Sequence, residues 1–154
     1  MTRGLVGWRH NDTENGYTFY YSRCDSYPSE LGKQFIHWVV QSNEYIEQFS
    51  KFVKMNLGEN NKEFDGKNFD FEFLKHCSTL FDYIYILDLV EGIIKIGHGH
   101  YKYNEIIGTD EWEKLDVDER FEKEYVFYNI TLSDCLKMKW DWKDIFSKTG
   151  FRIK

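Results

Sequence analysis

The chain lacks alanine and has a single proline, Pro28, among its 154 residues. It also lacks a long apolar run, because the longest one, residues 83–87, ends at Asp88. A membrane-spanning helix needs about 20 consecutive apolar residues, so we expect no membrane partner. Residues 1–8 have no apolar segment of the kind that a signal peptide carries. These absences predict a cytoplasmic protein.

Metal-binding patterns are missing as well. Cys24, Cys77 and Cys135 are widely spaced and form no CxxC pair, so they predict neither a zinc site nor a disulfide framework. His98 and His100 would share one face of a strand. Two histidines at this spacing, with no identifiable third ligand, are not specific for a metal. We therefore predict no metal site and no cofactor.

The common enzyme motifs do not occur either. The chain has no P-loop, no Gly-x-Ser-x-Gly elbow and no Gly-x-Gly-x-x-Gly motif. This favours a binding protein over an enzyme.

The net charge of −6 lies in one segment. Residues 105–124 carry all of the acidic excess, and the rest of the chain is neutral. Because no basic surface is present, direct binding to a nucleic-acid backbone is disfavoured. The acidic segment has two interpretations, which are a charged outer helix face and a docking surface for a basic protein. The docking interpretation uses Trp112 and Phe121 as anchors, with charges from Asp116, Asp118 and Glu119.

What the chain does have is aromatic residues, at 19%. Rings bury a large area each, so a single core and a single domain over residues 1–154 are expected. The same aromatic content is compatible with a symmetric homodimer.

The pattern of apolar residues predicts an α+β fold. Apolar residues spaced by three and four from Leu31 to Val53 indicate one helix of about six turns, which Asn43 could interrupt. Turn residues 11–16 and Glu91-Gly92 indicate two hairpins. The expected strands are 5–10, 17–24, 81–90, 93–98, 125–132 and 136–143, with Ser133-Asp134 as the turn between the last two. Two shorter helices are expected at 69–80 and 110–123, and Thr109 is the candidate cap of the second. We thus predict a mainly antiparallel sheet of about six strands with one long and two shorter helices.

Residues 20–33 are the most informative stretch for function. They read as a strand, a polar turn and the start of a helix, where free backbone N–H groups attract anions. Arg23 could grip a phosphate or carboxylate in a bidentate manner, and Tyr27 offers a stacking face. The full set of candidate ligand-binding residues is Arg23, Asp25, Ser26, Tyr27, Ser29 and Lys33. The alternative is an ordinary capped helix entry, since capping alone explains Asp25, Ser26 and Pro28.

The same stretch resembles a pattern in small phage-type accessory proteins. In those proteins a strand ending in Arg or His is followed by Asp-Gly-Tyr-Pro, three residues, Gly and a helix. Here Asp25, Tyr27, Pro28 and Gly32 match, and Ser26 stands where the pattern has Gly. The resemblance covers about 14 residues. It implies a mobile-element accessory protein in the host-cell cytoplasm, acting on host nucleotide signals or defence proteins.

Three functional hypotheses follow. The first is a non-enzymatic accessory protein that holds a small anionic, nucleotide-like ligand, in a counter-defence role. The second is a protein–protein inhibitor of a host protein that acts through residues 105–124. The third is a small enzyme on a phosphorylated substrate, with Asp25 or His37 as acid or base beside Arg23.

Overall fold

The computed structural model describes residues 2–9, 16–22, 25–42, 46–57, 67–69, 81–99, 108–116, 118–120, 125–138, 141, 143–144 and 146. These residues form an α+β fold around one sheet of six strands in the order β3-β2-β1-β4-β5-β6. The strands are β1 (Gly4–Arg9), β2 (Tyr17–Ser22), β3 (Lys67–Phe69), β4 (Tyr83–Asp88), β5 (Ile93–Gly99) and β6 (Tyr125–Thr131).

The sheet is mixed, since β1 and β4 run parallel while the other neighbouring pairs are antiparallel. The predicted fold class is therefore confirmed, with one parallel pair in a mainly antiparallel sheet. Strand β4 is buried along its whole length, as its continuous apolar run predicts. The connection from β4 to β5 takes four residues, 89–92, instead of the predicted two. Gly92 occupies the left-handed region there, with φ 68°.

The helices differ more from the expectation. They are α1 (Lys33–Gln41), α2 (Ile46–Leu57), α3 (Asp110–Glu113) and α4 (Leu132–Lys137), and a π-helical turn at Pro28–Gly32 leads into α1. The predicted long helix is thus two helices. The first ends at Ser42, whose hydroxyl donates to the Trp38 carbonyl at 2.6 Å. Its amide donates to the same carbonyl at 3.0 Å.

The predicted strand 136–143 is wrong, because residues 132–137 are helical. The Thr131 hydroxyl accepts a hydrogen bond from the Asp134 amide at 3.1 Å and starts α4. Cys135 on this helix has no exposed surface. A capped helix that buries Cys135 therefore replaces the expected turn at residues 133–134.

The predicted helices at 110–123 and 69–80 also need correction. Thr109 caps α3 as expected, at 3.4 Å from the Trp112 amide, but α3 stops at Glu113. Asp116 then caps a second helical stretch through the Glu119 amide at 2.8 Å. Phe69 lies in β3 and does not begin a helix. The rest of that predicted helix, residues 70–80, lies outside the described residues.

Apolar side chains cover both faces of the sheet. On one face, Trp8 stacks on Tyr20 with centroids 5.6 Å apart, and its edge meets Phe49 of α2. Phe35 of α1 packs edge-on against Phe49 at 6.0 Å, so both long helices lie on this face. The core of the opposite face contains Leu5, Tyr17, Phe19, Phe81, Ile84, Ile86 and Tyr125.

Candidate functional site

The π-helical turn and four strand ends meet at one end of the sheet, which we call the Tyr27 end. Here Gly4 at the start of β1 pairs with Ser22 of β2 and with Tyr83 of β4. Tyr83 in turn pairs with His98 near the end of β5. The Tyr27 end therefore contains two of the sequence candidates, the strand-to-helix turn and His98.

Ser26 anchors the turn to the sheet. Its amide donates to Thr2 Oγ1 at 2.7 Å, and its carbonyl accepts from the Tyr85 hydroxyl at 2.8 Å. A Cβ on Gly4 would lie 2.5 Å from Ser26 Oγ, so only glycine at position 4 lets the turn approach β1 this closely. Ser26 has no exposed surface. It positions the turn and offers nothing to a ligand at the surface.

The backbone of the turn explains why Asp25, Ser26 and Gly32 are tolerated or required at their positions. Asp25 has φ 53°, in the left-handed region that Asp tolerates better than most residues. Ser26 is not among the residues with positive φ, so serine fits where the resemblance has Gly. A Cβ on Gly32 would meet Phe146 at 2.8 Å and the Tyr85 hydroxyl at 3.1 Å. Gly32 thus permits close packing of the turn on Tyr85.

The amides of the helix start are largely used within the turn. The Glu30 and Gly32 amides donate to the Tyr27 carbonyl at 3.0 and 3.2 Å, and the Leu31 amide donates to the Asp25 carbonyl at 3.1 Å. Pro28 has no N–H. The expected set of free amides is therefore reduced to Ser29 among residues 28–32, because the π-turn closes on itself.

Aromatic rings form the most distinctive feature of the Tyr27 end. The Tyr27 ring is 47% exposed and lies 5.9 Å from the Tyr83 ring. Tyr83 is buried and stacks on His98 at 4.9 Å and on Tyr85 at 6.3 Å. Tyr27 is thus the exposed member of a ring cluster, Tyr27, Tyr83, Tyr85 and His98, which the core holds in place.

The charges around the ring cluster are mixed. Arg3 and Lys33 are exposed and have no ion-pair partner among the described residues. Asp25 and Glu30 are exposed, and the partly exposed Asp82 accepts from the Arg3 amide at 2.7 Å. Burial raises the pKa of the Tyr83 hydroxyl, and the neighbouring Tyr27 and Asp82 raise it further. That hydroxyl therefore stays protonated at neutral pH.

The other predicted residues fall in three places. Ser29 and Lys33 are exposed on the turn and at the start of α1, and His37 is exposed one turn further along α1. Arg23 and His100 lie outside the described residues. No group of three metal-binding side chains occurs in the described part of the chain.

In the acidic segment, the described acidic side chains are exposed to solvent, whereas Trp112 is buried. Asp116, Asp118 and Glu119 are exposed, and the Glu119 amide, as a hydrogen-bond donor, lowers the pKa of Asp116. Trp112 is only 7% exposed. The Arg120 guanidinium lies over its ring at 5.5 Å and donates to its carbonyl at 3.1 Å. Trp112 therefore packs within the protein, which leaves little of its ring for a partner.

Sequence reasoning missed a polar cluster at the opposite end of the sheet, which we call the Asp88 cluster: Arg9, Tyr17, Asp88 and Glu91. Asp88 has no exposed surface, yet Arg9 binds it through Nε, at 3.1 Å, and through Nη2. The Tyr17 hydroxyl donates to it at 3.2 Å, and the amides of Val90 and Glu91 donate at 3.1 Å each. The guanidinium also covers the Tyr17 ring at 4.7 Å.

The sequence does contain a signal for this cluster. Arg9 and Asp88 are opposite charges that each close a buried strand, and the parallel register pairs them directly. The two charges can be recognised as partners only once it is known that β1 pairs with β4.

These contacts also set the protonation states. Burial alone would raise the pKa of Asp88, but the hydrogen bond from Arg9, followed by the Glu91 amide, outweighs it and lowers the pKa. Burial raises the pKa of Tyr17 to about 12, and the adjacent Asp88 carboxylate adds to the rise. Asp88 is therefore ionised and Tyr17 neutral across the physiological range. Both oxygens of the Asp88 carboxylate already accept hydrogen bonds. The Asp88 cluster therefore has a structural role.

Comparisons of the chain with protein-family models, curated proteins and solved structures found no match. Within the described residues, no helix is both long enough and apolar enough to cross a membrane.

Proposed function

We propose that this protein is a non-enzymatic binding protein that holds a small nucleotide-like ligand at the Tyr27 end of the sheet. The observation that carries the proposal is the half-exposed Tyr27 ring beside buried Tyr83, which in turn stacks on the partly exposed His98. A base stacked on an aromatic side chain gains about 1–3 kcal/mol. A ring that is already held in place loses little entropy on binding.

Side chains for the anionic part of such a ligand are close in sequence. Ser29 and Lys33 are exposed on the same turn and helix start and supply a hydroxyl and an ammonium group. Arg23 follows β2 directly in the chain and is proposed as a further anion contact. In a phage-type accessory protein, capture of a nucleotide would remove a host signal, which gives the counter-defence role that the sequence resemblance implies.

The test is a thermal-shift screen with nucleotides, cyclic nucleotides and other small phosphorylated metabolites, followed by calorimetric titration of the best compound. A ligand that binds the folded state raises the midpoint, by about 2.7 kcal/mol of stability at 100 times its Kd. Tyr27→Ala is expected to weaken binding about tenfold or more, because stacking is lost. Tyr27→Phe keeps the ring and is expected to retain binding.

Met55→Ala is the matched control, since Met55 is 72% exposed on α2 and is not part of the ring cluster. Arg23→Ala tests the remaining sequence candidate and is expected to weaken binding less than Tyr27→Ala does, because stacking supplies most of the affinity. The proposal fails if no compound shifts the midpoint, or if Tyr27→Ala binds as well as the unaltered protein.

A second candidate function is docking of a basic protein on the acidic segment. It is favoured by the exposure of every described acidic side chain there, at positions 110, 111, 113, 116, 118 and 119. The test compares Asp118→Lys/Glu119→Lys with the control Glu47→Lys/Asp144→Lys, which changes the net charge equally. Asp116 is left intact because it caps the Glu119 amide.

Binding to polylysine at low salt serves as the readout. If the acidic segment is the docking surface, the first pair of substitutions weakens binding much more than the control pair. Equal losses for both pairs would mean that only net charge matters.

A further inference from the structure

We infer that the ligand is selected by its flat heteroaromatic ring, as in a nucleoside, and that a phosphate adds little to its affinity. This inference rests on the proposed function and specifies which part of the ligand, the base or the phosphate, the site recognises. Three features of the Tyr27 end lead to it.

The first feature is the scarcity of backbone donors. Helix starts that bind phosphate direct several free N–H groups at the anion. In this turn the amides of Glu30, Leu31 and Gly32 already donate to carbonyls within 3.2 Å. Pro28 has none to offer. Among residues 28–32 this leaves only the Ser29 amide for a phosphate, and any further backbone contact would have to displace one of these bonds.

The second feature is the balance of charge. Two cations, Arg3 and Lys33, are exposed at this end, but Asp25 and Glu30 are exposed as well. Asp82 adds a third carboxylate beside the Arg3 backbone. The described charges are therefore mixed in sign, and a dianionic phosphate would meet carboxylates as well as cations.

The third feature is the ring cluster. Among the described residues at this end, Tyr27 is the one large apolar side chain that is exposed, and its ring lies 5.9 Å from the buried Tyr83 ring. Stacking needs a flat ring and is indifferent to a charge at the far end of the ligand. The geometry thus favours binding of the base by stacking on Tyr27, with the phosphate near solvent.

The experiment titrates three probes into the full chain by calorimetry: the four ribonucleosides, their 5′-monophosphates, and inorganic phosphate. We expect at least one nucleoside to bind within about threefold of its monophosphate, a difference of about 0.65 kcal/mol. Inorganic phosphate is expected not to compete. Tyr27→Ala should weaken the nucleoside and its monophosphate by the same factor, about tenfold or more, while Tyr27→Phe and Met55→Ala bind normally.

The outcomes separate the two proposals. If a monophosphate binds more than about tenfold tighter than its nucleoside and inorganic phosphate competes with it, the inference is overturned and the proposed function stands. If neither nucleosides nor monophosphates bind, both are overturned. Thermal unfolding of each variant alongside the titrations ensures that a loss of binding is not a loss of fold.

Discussion

At the Asp88 end of the sheet, a carboxylate with no exposed surface is surrounded by donors from Arg9, Tyr17 and two amides. At the Tyr27 end, Tyr27 is 47% exposed and lies beside Tyr83, the first residue of β4. Both ends combine charged and aromatic side chains. The difference is that the buried carboxylate of the first cluster has all its hydrogen bonds made, whereas the second cluster leaves about half of Tyr27 exposed.

This difference separates stability from binding. A buried charge with all its hydrogen bonds made is costly to disturb and has no capacity left for a ligand. An exposed ring on a fixed backing contributes little to folding and is available to a partner. Four predictions test the comparison, from the largest expected effect to the smallest.

Replacing the buried carboxylate should have the largest effect. Asp88→Asn removes the buried charge that pairs with Arg9 and, among the described acidic residues, leaves the guanidinium only Glu91, at 3.9 Å, so we expect the free energy of unfolding to fall by about 3–5 kcal/mol. Urea denaturation measures this loss. The control is Asp82→Asn at the Tyr27 end, where the carboxylate is partly exposed and accepts from the Arg3 amide, with an expected loss of about 1 kcal/mol. Equal losses would contradict the distinction between the two ends.

Crowding the turn should have the next largest effect. In Gly32→Ala the new methyl meets Phe146 at 2.8 Å, and overpacking of this kind costs about 1–3 kcal/mol. Ser29 lies in the same turn and is exposed. Ser29→Ala should therefore change the free energy of unfolding by less than about 0.5 kcal/mol. Unfolding midpoints of the two variants make the comparison. A Gly32→Ala protein as stable as the Ser29→Ala protein would show that the turn does not pack against Tyr85 and Phe146.

The Asp88 cluster also predicts a dependence on pH at both extremes. Tyr17 has its pKa raised from 10.0 to about 12, so above pH 10 the unfolded chain releases a proton that the folded chain retains. Stability is therefore complete below pH 10 and falls as the pH rises toward 12. Asp88 has a lowered pKa, so its contribution is present above its ordinary value of 3.8 and is lost as acid protonates the folded state.

Tyr17→Phe isolates the alkaline effect. Burial also raises the pKa values of Tyr83 and Cys135, the latter to about 12, so the difference between the two stability curves is the relevant measurement. Unfolding curves at several pH values should show that the substitution removes part of the alkaline loss. An unchanged alkaline slope would show that Tyr17 does not titrate as its burial requires.

The smallest effect is expected at Tyr27. Because its ring is half exposed and contacts Tyr83, Tyr27→Ala should lower the free energy of unfolding by about 1 kcal/mol. Chemical denaturation tests this without any ligand. A loss above about 2 kcal/mol, typical of a buried ring, would make Tyr27 a core residue and remove the contrast between the two ends.

Several elements could be predicted from local patterns. The apolar run at 83–87 indicated a buried strand, and β4 covers it. Thr109 was expected to cap a helix, and it does. These predictions succeed because the determining residues are neighbours in the chain. The alternating apolar pattern at 136–143 predicted a strand, and this prediction is wrong. Thr131, which precedes the pattern, caps a helix that extends into it.

The site was predictable only in part. Residues 25–33 were expected to form a turn into a helix, and their exposed positions 27, 29 and 33 follow from that. That the amides of the turn are already bonded could not be foreseen, because it depends on the π-helical geometry and on the left-handed Asp25.

The sequence by itself determined the α+β class, most of the strands and the place of the strand-to-helix turn, since these depend on periodicity and on residues close together in the chain. The tertiary structure alone decided which groups meet. Arg9 reaches Asp88 across 79 positions because β1 and β4 pair in parallel. Tyr27 lies against Tyr83, and Tyr83 against His98, because β4 and β5 bring their ends to the turn. Turn residues can indicate a hairpin, but the parallel pairing of β1 with β4 joins strands that no local turn connects.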